Sequence, residues 1–172
     1  PTEASAGADQ FLCDSTNIYL YGNTPINGTG SWSRIVGPAG GTFVPDSLTP
    51  VTKYTGAIPG NTYAFRWTIT QGGCSNADEI RIDNAGNPSP CNAGPDRDVC
   101  GSSTTMVAST PIFGIGTWTQ ITGPAATIVS PNLPTSEITG LVTGTTYQFV
   151  WTVENGACDA CDDTVTFVTY PN

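Results

Sequence analysis

Apolar and polar positions alternate along this chain in short runs. The clearest run is YAFRWTI at 63–69, where Tyr63, Phe65, Trp67 and Ile69 fall on one face and Ala64, Arg66 and Thr68 on the other. Tyr147, Phe149, Trp151 and Val153 repeat that face further on. Period-two alternation with one large aromatic face predicts a half-buried β-strand. Shorter runs predict more strands at NIYLY (17–21) and TTMVA (104–108), and at SWSRIV (31–36) and TWTQIT (117–122). Gly37-Pro38 and Gly123-Pro124 close the second pair as turns. The last strands are predicted at EIRI (79–82) and TVTFV (164–168). No apolar run of useful length has the helix period.

The pattern occurs twice. AGADQFLC at 6–13 returns as AGPDRDVC at 93–100, TPINGTGSWSRIVGPAG at 24–40 as TPIFGIGTWTQITGPAA at 110–126, and GNTYAFRWTI at 60–69 as GTTYQFVWTV at 144–153. GGCSNADEIRI at 72–82 returns loosely as GACDACDDTVTF at 156–167. Self-similarity at a fixed period marks a repeat architecture. The expected organisation is a first domain over residues 1–84, a linker rich in Pro, Gly and Asn over 85–90, and a second domain over 91–172. A unit of this size with closely spaced strands predicts an all-β fold of two tandem β-sandwiches. The repeat pairs Trp32 with Trp118 and Trp67 with Trp151. With Tyr63, Tyr147, Phe65 and Phe149 they are expected to form one aromatic core per domain rather than a sugar-binding platform. Tyr19, Tyr21, Tyr54 and Phe113 lack that symmetry and are expected at the surface.

Composition narrows the chemistry. The 172 residues include 20 Gly and 14 Pro, and 38% are hydrophobic, enough for a core. Fourteen acidic residues against five basic ones give a net charge of −9, which argues against nucleic-acid partners. There is no histidine, so Ser-His and Cys-His nucleophiles and imidazole metal ligation are absent. The one lysine, Lys53, has no lysine counterpart in the second repeat, which weakens an internal isopeptide crosslink. Carboxylates alone could cleave glycosides. Here they fall on loops and edges, with no insertion to build a cleft, and the chain is expected not to be an enzyme. No stretch is long and apolar enough to insert in a membrane. The opening PTEASAGADQ looks like a mature or excised chain start.

Six cysteines without histidine suit an oxidising, extracellular setting. ENGACDACDD at 154–163 holds a C-x-x-C, which can be a redox dithiol, half of a zinc site, or two separate half-cystines. Zinc lacks its other ligands and a thioredoxin-like motif lacks its βαβ setting. The repeat then suggests pairings. Cys13 and Cys74 are the only cysteines of the first copy and are expected to bond. Cys100 and Cys158 are their counterparts. Cys91 and Cys161 face Ala4 and Ala77 in ungapped register, so both are missing together from one copy, as a bonded pair would be. Each long bridge would close a loop worth roughly 4 kcal/mol in the chain-entropy model. In a simple sandwich, however, Cys13 and Cys74 can fall at opposite ends, and their bridge then needs a loop that folds back.

The motifs A-G-x-D-x-x-x-C, G-x-G-x-W, the G-P turn and Y-x-F-x-W-T-[IV] followed by G-x-C stand in both copies. Together they resemble the PKD-like, immunoglobulin-like repeats of very large Bacteroidota surface proteins, including SprB-like gliding-motility adhesins and other cargo of type IX secretion. The resemblance implies immunoglobulin-like sandwiches in a non-catalytic extracellular stalk or filament at the cell surface. Its expected partners are neighbouring repeats of the same chain and surface polysaccharide or other surface proteins. It also implies O-glycosylation at Asp-Ser/Thr motifs, with Ser15 and Ser47 in loops preferred to Thr164 in a strand. NGT at 27–29 fits the N-linked sequon but not that setting. The alternative function is a ligand-binding module for calcium or carbohydrate. Asp96, Asp98, Asp159, Asp162 and Asp163 are the calcium candidates, although no D-x-D-x-D-G loop is present. No cofactor other than calcium is expected.

Overall fold

The computed structural model describes residues 1–171. It contains two units, Pro1–Gly86 and Asn87–Asn172. In the first, β1 is Gln10–Cys13, β2 Asn17–Tyr21, β3 Thr29–Val36, β4 Thr42–Val44, β5 Val51–Thr55, β6 Asn61–Gln71 and β7 Cys74–Ala85. In the second, β8 is Arg97–Cys100, β9 Ser103–Val107, β10 Ile115–Thr122, β11 Thr127–Ile128, β12 Thr135–Thr139, β13 Thr146–Asn155 and β14 Cys158–Tyr170.

Each unit has a four-stranded and a three-stranded sheet. The first unit orders them β1-β7-β6-β3 and β2-β5-β4, and the second β8-β14-β13-β10 and β9-β12-β11. Pairing is antiparallel except at one edge of each larger sheet, where β1 runs parallel to the end of β7 and β8 parallel to the end of β14. That pairing ties the beginning of each unit to its last strand. Seven strands in two facing sheets form an immunoglobulin-like sandwich.

The long alternating strands supply the core. Tyr63, Phe65, Trp67 and Ile69 are fully buried on β6, as are Tyr147, Phe149, Trp151 and Val153 on β13. Trp32 and Trp118 are also buried and lie 5.0 and 5.1 Å from the Trp67 and Trp151 rings. The opposite sheet closes the first core with Ile18, Leu20 and Tyr54 and the second with Met106 and Ile138. Tyr54 therefore corrects the surface expectation. It points inward from β5, 98% buried, with its ring 4.9 Å from Phe65. Tyr19 and Tyr21, on the alternate face of β2, are exposed.

The recurring motifs now have physical reasons. In G-x-G-x-W the second glycine, Gly30 or Gly116, lies against an indole. A Cβ there would come within 2.1 Å of Trp67 or 1.9 Å of Trp151, so only glycine leaves room for the ring. The glycine of the G-P turn, Gly37 or Gly123, has φ of +106° or +96° and borders the Tyr63 or Tyr147 ring. Those tyrosines accept hydrogen bonds at the phenol from the Ile58 and Val142 amides, at 2.7 and 2.9 Å. This is the tyrosine corner of immunoglobulin-like domains, where a cysteine two residues on makes the inter-sheet bridge. Phe65 and Phe149 occupy that place here, so a buried aromatic ring stands where the inter-sheet cysteine would be.

The segment 85–90, read as a linker, is partly structured. Ala85 ends β7. Ser89 bridges to Phe113 and accepts the Ile112 amide at 2.8 Å, and Pro90 accepts the Ser109 hydroxyl at 2.9 Å.

Candidate functional site

The buried residues make two closed cores, so the chemistry lies with the cysteines and carboxylates at the margins of the sheets. Each unit has two poles along its last strand. The chain comes into the first unit beside the start of β7, where Ala4 and Ala6 donate amide hydrogens to Asn76 and Asp78. It leaves at the far end of β7, at Ala85. The second unit is built alike. Ala93 donates to Asp163 near the start of β14, and the chain leaves near Tyr170.

This geometry overturns two expected bridges. Cys13 lies opposite Ala85, at the outgoing end of β7, while Cys74 is the first residue of that strand. From residue 74 to residue 85 an extended strand covers about 36 Å, at ~3.3 Å per residue. A disulfide needs Cα atoms within about 7 Å. Likewise Cys100 lies opposite Tyr170, at the outgoing end of β14, and Cys158 begins that strand, about 40 Å away by the same rise. Cys13–Cys74 and Cys100–Cys158 therefore do not form. Cys74 and Cys100 are free and exposed, whereas Cys13 and Cys158 are disulfide-bonded. Each expected bridge joined residues on neighbouring strands but at opposite ends of the last one.

Cys91 and Cys161 form a disulfide with Cα atoms 6.0 Å apart. The bridge joins the incoming segment to the start of β14. The residue matching Cys161 in the first unit is not Ala77. Val153 faces Cys161 and Ile69 faces Asn76, and an irregularity near Val153 and Asn155 accounts for the slip in ungapped register. Asn76 accepts the Ala4 amide at 2.6 Å, and Ala4 is the counterpart of Cys91. One unit closes this junction with a covalent bond and the other with a hydrogen bond.

Sequence reasoning missed the role of the acidic residues in A-G-x-D. Asp9 accepts the Arg81 amide at 2.8 Å and Asp96 the Thr166 amide at 2.7 Å, each clipping the incoming segment to the last strand. Asp78 and Asp163 make the reciprocal clip by accepting the Ala6 and Ala93 amides, both at 2.8 Å. The signal was present in the repeated Asp at matching positions. Of the calcium candidates, Asp96 and Asp163 thus engage backbone. Asp98 lies on β8, and Asp159 and Asp162 are exposed on β14. Among the described residues, no group of three or more Cys, Asp or Glu side chains is placed to hold a metal ion.

Of the glycosylation candidates, Ser15 is half-buried and donates its hydroxyl to the Asn17 carbonyl at 2.6 Å. Ser47 is half-buried beside β3, where its carbonyl accepts the Trp32 amide at 2.7 Å. Thr164 is exposed on β14.

Two carboxylates are held below the usual range. Asp83 is lowered mainly by the hydrogen bond from Arg81, then by the Thr62 hydroxyl. Asp46 is lowered by the Thr49 hydroxyl, then by the Leu48 and Thr49 amides. Asp46 is exposed in a turn and Asp83 is half-buried on β7, and each is oriented by the hydrogen bonds it accepts.

No protein-family model and no curated protein matches the chain. Solved structures do. Immunoglobulin domains 1–4 of Sidekick-1 align with a TM-score of 0.68 at 12% identity, over 98% of this chain and 50% of that one. Extracellular domains 3–5 of Drosophila OTK align with a TM-score of 0.65 at 13% identity, over 94% of this chain and 59% of that one. Dpr11 IG1 bound to DIP-gamma IG+IG2 aligns with a TM-score of 0.55 at 12% identity, over 98% of this chain and 99% of that one. The chain thus spans between half and three fifths of the first two of these structures. At such identities the likeness establishes the fold: the chain is all-β and immunoglobulin-like.

Proposed function

We propose that this chain is a non-catalytic, extracellular, adhesion-type repeat module, and more narrowly part of the stalk or filament of a bacterial surface adhesin. The observation that carries it is the duplicated sandwich. Both copies place the aromatics that they share in the core and their shared carboxylates on clipping the incoming segment, and among the described residues no shared side chains remain gathered for catalysis. The Cys91–Cys161 bridge fits an oxidising location. The bacterial setting, with gliding motility and type IX export, rests on the motif resemblance alone.

The fitting partners are proteins: neighbouring repeats of the same chain and other surface proteins, with surface polysaccharide as a further partner. The Dpr11 structure holds one immunoglobulin domain bound to others, which shows that the fold serves such contacts in that protein. The test is surface display. An antibody raised against the chain should label intact producing cells, and brief protease treatment of those cells should remove the signal. Labelling only after lysis would reject the reading.

A further inference from the structure

We propose that Cys74 and Cys100 are the two halves of an end-to-end disulfide coupling, through which one copy of this chain bonds head to tail with the next. The coupling goes beyond the module reading above and does not depend on the bacterial setting.

The two units repeat the same device. Each carries one cysteine at its outgoing pole, Cys13 or Cys100, and one at its incoming pole, Cys74 or Cys158. Within a unit the two are separated by a full strand length and cannot meet. Their bonding states then divide by position along the chain. Cys13, where the chain leaves the first unit, and Cys158, where it comes into the second, are disulfide-bonded. Cys74, where it comes into the first, and Cys100, where it leaves the second, are free thiols. Each free cysteine therefore has a counterpart, in the same place of the same fold, that is oxidised.

Local structure suits both for the reaction. Cys74 follows Gly72 and Gly73 at the β6–β7 turn, and a Cβ at either glycine would meet nothing within 4 Å, so the turn is open on its outer side. Cys100 ends β8 immediately before the turn at Gly101. Both are exposed. The pairing joins two different surfaces, so it is heterologous, and repetition of such a contact without ring closure gives a linear chain of copies.

The oxidant is a small-molecule disulfide such as oxidised glutathione. The Cys100 thiolate attacks it, forming a mixed disulfide and releasing one glutathione thiol. The Cys74 thiolate of the next copy then attacks the Cys100 sulfur and releases the second. Two protein thiols are oxidised and one glutathione disulfide is reduced to two thiols.

The test is to incubate the purified chain at high concentration with oxidised glutathione, in salt sufficient to screen its acidic surface. Non-reducing electrophoresis should show a ladder of covalent multimers that dithiothreitol collapses, and peptide mapping should find Cys74 joined to Cys100. C74S and C100S should each stay monomeric alone and give a dimer, with nothing larger, when mixed. Circular dichroism confirms that both variants keep the fold. Monomers carrying only glutathione adducts would overturn the proposal. So would Cys74–Cys74 or Cys100–Cys100 bridges in place of the mixed one, or variants that dimerise alone as readily as when mixed.

Discussion

The two units share strand order, core positions, tyrosine corner and reciprocal carboxylate clips, yet close the same junction by different means. In the second, Cys91 and Cys161 bond the incoming segment covalently to the last strand. In the first, Ala4 and Asn76 do so with a hydrogen bond of 2.6 Å. A second difference is charge. The first unit places Asp83 and Asp46 where the second has Val168 and Ser130, and the first also holds four of the five basic residues. The lesson is that the fold is specified by its aromatic core and glycine clearances, while covalent and ionic features vary on top of it.

The largest expected effect comes from the core. Trp67→Ala and Trp151→Ala remove the same buried ring and should each cost about 3–5 kcal/mol. The staple remains in the second unit, so hydrogen exchange should show the first unit unfolding in W67A while the second stays protected in W151A. Equal loss of protection would mean that the staple adds nothing. Removing the staple itself, with Cys91→Ser and Cys161→Ser, should cost about 4 kcal/mol in the second unit alone. Asn76→Ala should cost about 1 kcal/mol in the first. The converse pair, Ala4→Cys with Asn76→Cys, should raise the first unit's melting temperature under oxidising conditions and not under reducing ones. Of the same size as Asn76→Ala, Tyr63→Phe and Tyr147→Phe each remove one phenol–amide hydrogen bond and should cost about 1 kcal/mol in either unit. An unequal pair of values would show that the corner is not equivalent in the two copies.

The smallest effect is acid sensitivity. Asp83 and Asp46 are lowered from 3.8 in the folded first unit by their hydrogen-bond donors. The unfolded chain binds their protons more readily, so their contribution is present above about pH 4 and fades as pH falls through the lowered values. A pH series of amide exchange below pH 4 should therefore show this loss in the first unit. Asp83→Asn with Asp46→Asn should flatten it there and leave the second unit's profile unchanged.

Much of the fold was legible. The aromatic alternation of 63–69 and 147–153 needs one buried face per strand, and the doubling of that pattern identifies two cores. Strands β1, β4, β5, β8, β11 and β12 were not read. They are short, and VTKYT or TI carries no clear periodicity outside its sheet. Tyr54 was misplaced for the same reason, since only pairing with β2 and β4 turns it inward. The cysteines show a different limit. Repeat symmetry correctly finds equivalent positions but says nothing of which end of a strand each occupies. Cys13 sits far from Cys74 because β1 runs parallel to β7 and reaches only its last residues. The carboxylate clips were visible as repeated Asp, but their amide partners lie about 70 residues away and emerge only with the fold.

The staple also sets how the second unit would bear a pull. Tension arriving along the chain at Cys91 passes through the disulfide to Cys161 and on through the end of β14, bypassing everything between. The bond spans a sequence separation of 70 residues, so a stretch worth roughly 240 Å of contour, at ~3.4 Å per residue, cannot pay out while it is intact. The first unit has only a hydrogen bond at that place. Reduction of the Cys91–Cys161 disulfide therefore gives the incoming segment of the second unit the same non-covalent fastening that the first has at Ala4 and Asn76.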